Sequence, residues 1–210
     1  MAEQGVWVAF LGPDGSGKTS VIEAVERLLA PQFQAVKRYH LRPHWGRRRP
    51  VDAPVTDPHA RPARHAAASL AKLGLWWADY VLGYATRIRP QLARATLVTF
   101  DRYYYDVLVD PQRYRYGGSL RLAALGGRWL PRPDVIIVLD APAEVLRHRK
   151  REVSLAETTR QREAYRRLAV TLPNARIVNA AQPLATVAAE VASIVASCRE
   201  ARRLVAGTGR

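Results

Sequence analysis

The stretch Val6-Trp7-Val8-Ala9-Phe10-Leu11-Gly12-Pro13-Asp14-Gly15-Ser16-Gly17-Lys18-Thr19-Ser20 decides how the rest of the chain is read. Val6 to Leu11 are apolar throughout and predict a buried strand. Gly12 to Thr19 read G-x-x-x-x-G-K-T, and Val21, Ile22, Val25, Leu28 and Leu29 then recur on one face of a helical pattern. Strand, glycine-rich turn and helix is the context that a phosphate-binding P-loop requires. Glycine lets backbone N–H groups close around phosphate oxygens with no Cβ in the way. The new helix turns its positive end to the same anion. Gly12, Asp14, Gly15, Ser16, Gly17, Lys18, Thr19 and Ser20 form the expected ATP-binding set. Lys18 is placed to reach the β- and γ-phosphates, and the Thr19 hydroxyl to hold Mg²⁺. The bland alternative is a glycine turn that binds nothing.

The chain has 210 residues, enough for a single α/β domain with a full core. Its one cysteine, Cys198, rules out a disulfide framework and a cysteine-based metal site. Met1-Ala2-Glu3-Gln4-Gly5 run straight into the first strand without a signal-peptide pattern. No apolar run approaches the length of a membrane span, so a soluble, cytoplasmic protein is expected. The formal net charge is +15, from 33 Lys and Arg against 18 Asp and Glu. Such an excess can track nucleic acid or an acidic membrane, or surround a polyanionic small substrate. Between Lys37 and Arg64 lie eight basic and two acidic residues; between Arg147 and Arg167, eight and three. Neither cluster has the aromatic interleaving of a single-strand platform or a DNA-binding motif, so nucleic-acid binding is not expected.

Strand and helix patterns alternate, which predicts a parallel sheet covered on both faces. The first helix is expected from about Gly17 to Ala30 and a second strand around residues 34–41. Residues 41–64 are too rich in Pro and Arg for helix or central strand and read as a loop, with Arg47-Arg48-Arg49 at its middle. Residues 64–93 carry a long helical pattern that Gly74 and Gly83 weaken, so it bends or divides. A third strand, Thr96 to Phe100, ends at Asp101. Residues 103–118 are aromatic and loop-like, and a short helix follows over 119–125. Val135 to Leu139 form the clearest strand, ending at Asp140. Helices are expected from Ala143 and over 155–172, with a fifth strand at 176–179. A last helix starts at Pro183, and the 201–210 tail is expected to fray.

Phosphoryl transfer needs a cradle for the donor, a metal, and cations around the transferring oxygens. The metal needs a carboxylate at the end of a neighbouring apolar strand, and Asp101 and Asp140 both qualify. Strand pattern slightly favours Asp140. Asp101, however, is followed at once by Arg102, which sets an anion beside a cation at the carboxyl end of a strand, where open α/β sheets bind ligands.

Three segments together resemble the thymidylate kinase family of nucleoside monophosphate kinases. They are Phe10 to Thr19, close to F-x-G-x-D-G-x-G-K-[ST]; Asp101-Arg102-Tyr103, its D-R-[YFH]; and Arg132-Pro133-Asp134 followed by an apolar strand, Asp140 and Pro142. The resemblance implies a three-layer P-loop NTPase fold with a parallel sheet of about five strands, helices on both faces and a basic lid over 147–160. It implies transfer of the ATP γ-phosphoryl to a nucleoside monophosphate such as dTMP, with Mg²⁺, in a homodimer. Asp14 then lies near the acceptor, Asp101 assists metal and acceptor, and Arg102 grips the acceptor phosphate. Arg147, Arg149 and Arg151 are the lid candidates for the transferring group. In the family's L-F-A-A-D-R motif an aromatic stacks on the base and the arginine reads it; here the stretch is Leu75-Trp76-Trp77-Ala78-Asp79-Tyr80, so Trp76 or Trp77 would stack and Tyr80 stands in the arginine's place. Tyr103 completes the expected acceptor set. The family's S-x-x-A-Y-Q is replaced by Tyr104-Tyr105-Asp106-Val107-Leu108-Val109. Two alternatives stay open: a P-loop kinase with another acceptor, such as a sugar or other hydroxylated metabolite, and a protein that binds ATP without turnover.

Overall fold

Because β1 (Val6–Leu11) is apolar at every position, it sends side chains into two cores and is buried along its length. Val6, Val8 and Phe10 pack with Val21, Ile22 and Val25 of α1 (Lys18–Leu29) and Val187, Val191 and Val195 of α8 (Leu184–Thr208). Trp7, Ala9 and Leu11 pack on the other face with Tyr80 of α2 (Ala66–Gly83) and Tyr165 of α7 (Leu155–Thr171). That alternation makes the three layers expected. A computed structural model describes residues 4–44, 62–150 and 153–208.

β2 (Ala35–His40), β3 (Thr96–Asp101), β4 (Val135–Asp140) and β5 (Ala175–Asn179) join β1 in a five-stranded parallel sheet of order β2-β3-β1-β4-β5. The chain crosses from β3 over β1 to reach β4, so a crevice opens at the carboxyl ends of the three central strands. Phe10 is in register with Asp101 and Leu11 with Val138. The turn after β1 and the Asp101-Arg102 pair therefore open on the same edge, and the Arg102 N–H donates to the Phe10 carbonyl at 3.1 Å.

Several expectations change in detail. The long helical pattern passes through Gly74 unbroken and changes only after Gly83, into a π-turn (Tyr84–Ile88) and α3 (Arg89–Ala93). Pro43 of the preceding loop packs so closely on Gly83 that a Cβ there would sit 2.4 Å from the proline Cβ. Residues 103–118 are not all loop: α4 (Asp106–Val109) forms a single turn, closed where the buried Asp106 carboxylate accepts the Tyr103 N–H at 2.8 Å. After it come α5 (Leu120–Gly127) and α6 (Ala143–Arg149). α8 stays helical past Ala201 to Thr208, where fraying is expected; Arg202 pairs there with Asp134 at the start of β4. Arg47-Arg48-Arg49 lie outside the described residues. No helix among the described residues is long and apolar enough to cross a membrane.

The carboxyl end of α6 rests directly on the P-loop. Gly15 has φ +81°, and a Cβ there would lie 2.2 Å from the Leu146 carbonyl oxygen. Backbone strain and overpacking add at this position. Gly15→Ala is expected to destabilise the fold by about 2–4 kcal/mol, read as a lowered midpoint in urea unfolding with unchanged slope.

Candidate active site

Lys18 opens α1, and Gly17 precedes it in the left-handed region at φ 77°. The turn therefore curls back over the lysine, which is 7% exposed. Its ammonium donates to the Gly12 carbonyl at 2.7 Å, the Pro13 carbonyl at 2.9 Å and the Ser16 hydroxyl at 3.4 Å. Burial, reinforced by the Arg102 charge and partly offset by Asp14, Asp101 and Asp106, lowers its pKa to about 8. Ser16 is buried beside it, while Thr19 and Ser20 are exposed at the mouth of the turn.

The two strand-end carboxylates separate by what holds them. Asp140 accepts Arg162 through both oxygens, at 2.7 and 3.0 Å, and Arg166 at 2.8 Å. It anchors α7 to the sheet and has little capacity left for a metal. Asp101 is half-buried and, among the described residues, accepts only the Thr19 hydroxyl, at 3.4 Å. A hydroxyl and a carboxylate at the mouth of a P-loop are hard oxygen ligands of the kind Mg²⁺ takes. Among the described residues no group of three or more His, Cys, Asp or Glu could hold an ion alone. Mg²⁺ in nucleotide sites needs only one or two protein oxygens, the rest coming from phosphate and water, so Thr19 and Asp101 fit it.

Beside this lies a buried ion network that the sequence reading saw only in part. Arg102 takes φ 73°, a strained conformation for a residue with a Cβ, and reaches Asp14 at 2.6 Å and Asp106 at 3.6 Å. Arg113 binds the other oxygen of Asp14 and lies 3.5 Å from Asp110. Burial opposes the Arg102 charge, but Tyr114, Asp106 and Asp14 outweigh it and raise its pKa well above the ordinary value. Burial also raises the pKa of Asp106, against the pull of Arg102, the Tyr165 hydroxyl and the Tyr103 N–H. The Tyr165 hydroxyl donates to Asp106 at 2.6 Å. From the same helix Gln161 donates to Asp110 at 3.2 Å, and Arg160 to the Val109 carbonyl at 3.0 Å. One flank of α7 is thus bonded to residues 106–110. Asp106, Asp110, Arg113, Gln161 and Tyr165 are the residues that sequence reasoning missed.

The remaining predicted residues divide. Trp76 is buried, meets Tyr114 edge-on at 5.6 Å between centroids, and carries the Arg42 guanidinium at 5.1 Å and the Lys72 ammonium at 4.8 Å from its ring centre. Trp77 is 40% exposed and takes no part in the network. Tyr80 and Tyr103 belong to the aromatic core rather than the crevice: their rings pack at 4.8 Å, and their hydroxyls go to the Leu41 and Pro131 carbonyls. Burial pushes both phenols well above their usual pKa. Of the lid candidates, Arg147 is exposed on the turn that covers the P-loop. Arg149 turns away and donates to the Ala180 carbonyl at 2.8 Å. Arg151 lies outside the described residues.

A family model described as thymidylate kinase matches residues 10–191, from the end of β1 well into α8. No curated protein matches the chain.

Proposed function

The chain belongs to the thymidylate kinase family, and from that premise we propose that it transfers the γ-phosphoryl group of ATP to a nucleoside monophosphate held beside Asp14, Arg102 and Arg113. The observation that carries this is the direct contact between the P-loop and the acceptor side: Asp14, a P-loop residue, is the common partner of Arg102 and Arg113. Donor phosphate and acceptor oxygen then meet across one side chain.

The P-loop N–H groups and Lys18 take the β- and γ-phosphates. Thr19 and Asp101 would hold Mg²⁺, which would supply neutralising charge to the phosphates. An acceptor phosphate oxygen attacks the γ-phosphorus while the bond to the β,γ-bridging oxygen breaks, and ADP leaves. Arg102 and Arg113 hold the acceptor and Asp14 orients them. Lys18 must be charged to act. Nucleotide raises its pKa from about 8 by supplying the anion that the loop carbonyls replace poorly.

One observation favours a second reading. Three carboxylates (Asp14, Asp106 and Asp110) face two guanidinium groups (Arg102 and Arg113) among the described residues, which suits a neutral hydroxyl better than a phosphate dianion. Asp14 would then take the hydroxyl proton. A coupled ADP-release assay with dTMP, the other nucleoside monophosphates, and then neutral sugars tests both. Release with dTMP or a related monophosphate is expected. Release only with sugars selects the second reading. ATP binding with no release in either set would make the protein a nucleotide binder without turnover.

A further inference from the structure

Beside the buried ion network lies a phenol that nothing in the described chain holds. Tyr114 is 9% exposed. Its carbonyl accepts the Lys72 ammonium at 2.6 Å, and its ring packs edge-on against Trp76. Its hydroxyl is buried and has no hydrogen-bond partner among the described residues. Three other phenols of this region are satisfied: Tyr104 by the Ala123 carbonyl at 2.7 Å, Tyr116 by the Ser119 carbonyl at 3.0 Å and Tyr165 by Asp106 at 2.6 Å. Tyr80 and Tyr103 are satisfied by carbonyls as well. A buried hydroxyl left unpaired costs about 1–3 kcal/mol. Tyr114 is the one phenol among the buried side chains left without a partner in the described residues, and an occupant would supply what it lacks.

Position says what kind. Tyr114 follows Arg113, whose guanidinium reaches Asp14. Asp106, Arg102, Arg113 and Asp110 are the charges felt by its phenol. A second buried orphan also lies against Trp76: the Nε–H of Arg42, whose Nη1 pairs with Asp79 at 3.1 Å. Both orphans can donate, and the wall is positive. Burial together with Arg64, Arg42 and Arg115 lowers the Lys72 pKa to about 8.

We propose that Tyr114 is a specificity-determining residue for the phosphate acceptor, its hydroxyl donating, together with Arg42 Nε–H, to oxygens at the acceptor's non-reacting end. This rests on the phosphotransfer reading above. The chemistry selected is an oxygen-rich, hydrogen-bond-accepting group, carried by a nucleotide or by a sugar. It replaces recognition by stacking, since Trp76 already carries two cations and Tyr80 is closed into the core.

The test is Tyr114→Phe, which removes only the unbonded oxygen, with Arg42→Lys as a second variant that keeps the charge and loses Nε–H. Steady-state kinetics are run with ATP and two acceptor sets, the nucleoside monophosphates including dTMP and the neutral hexoses including glucose. For whichever set the wild type uses, KM for the acceptor should rise about tenfold in Tyr114→Phe, the value of one hydrogen bond. KM for ATP should stay within about twofold and Tm should not fall, because no folded-state partner is lost. An unchanged acceptor KM with a raised Tm would overturn the inference alone and leave phosphotransfer standing. A wild type that turns over neither set overturns the phosphotransfer reading and this inference together.

Discussion

Lys18→Ala is expected to lower kcat by at least about 10³-fold, the scale on which a cation at the transferring phosphoryl acts, while the protein becomes no less stable. The two halves of this outcome have one cause. Without nucleotide, the ammonium is buried against loop carbonyls and its pKa is held near 8. An unfolded lysine titrates near 10.4. Below pH 8 both states carry the proton and the folded state bears the whole cost of the buried charge, on the order of 3 kcal/mol. Between the two pKa values the unfolded chain holds more protons, so this cost fades as pH rises. Alanine removes the charge together with its cost. Urea titrations should therefore show the variant gaining most on the wild type near neutral pH and losing that advantage above pH 8. A variant that is inactive and also much less stable at pH 7 would mean that Lys18 serves the fold, not the phosphates.

Arg102→Ala should have the opposite stability signature. Removing one partner of a buried pair leaves the other charge uncompensated, at a cost of about 3–5 kcal/mol. Asp14 keeps Arg113, so the carboxylate left without a guanidinium is Asp106, fully buried, with a pKa already raised by burial and restrained chiefly by Arg102. Asp106→Asn in the same chain removes that charge and should restore most of the lost stability. Activity should not follow. kcat/KM for a phosphate-bearing acceptor is expected to fall by about 10²–10³-fold in both the single and the double variant, with KM for ATP nearly unchanged. Equal losses for ATP and acceptor would contradict the placement of Arg102 on the acceptor side. Rescue of activity along with stability would reduce its role to holding Asp106.

The parts of the site that could be read from sequence are those where local backbone geometry restricts the residue. Gly15 and Gly17 sit at φ 81° and 77°, conformations that few other residues tolerate, so the P-loop announces itself. Asp101-Arg102 could be read because strand ends face the crevice in this fold. The choice between Asp101 and Asp140 was not available, since both end apolar strands. It depends on Arg162 and Arg166, which arrive from α7 and occupy Asp140. Asp106, Asp110 and Arg113 left one faint signal, charged residues scattered through an aromatic run that otherwise reads as buried. The surroundings of Tyr80 and Tyr103 were hard to read for a related reason. Beside a signature motif an aromatic side chain looks like a pocket wall, and only tertiary packing shows that both hydroxyls are spent on carbonyls inside the core.

The stapled flank of α7 has a mechanical consequence. Arg160, Gln161 and Tyr165 fasten this helix to the segment that carries Asp106 and Asp110, and α6, the helix before it, lies across the P-loop at Gly15. Any swing of α7 must carry residues 106–110 with it, or else shear three hydrogen bonds at once. That segment is tied to the P-loop in turn, because Asp106 and Asp110 face the two guanidinium groups that both bear on the single carboxylate of Asp14.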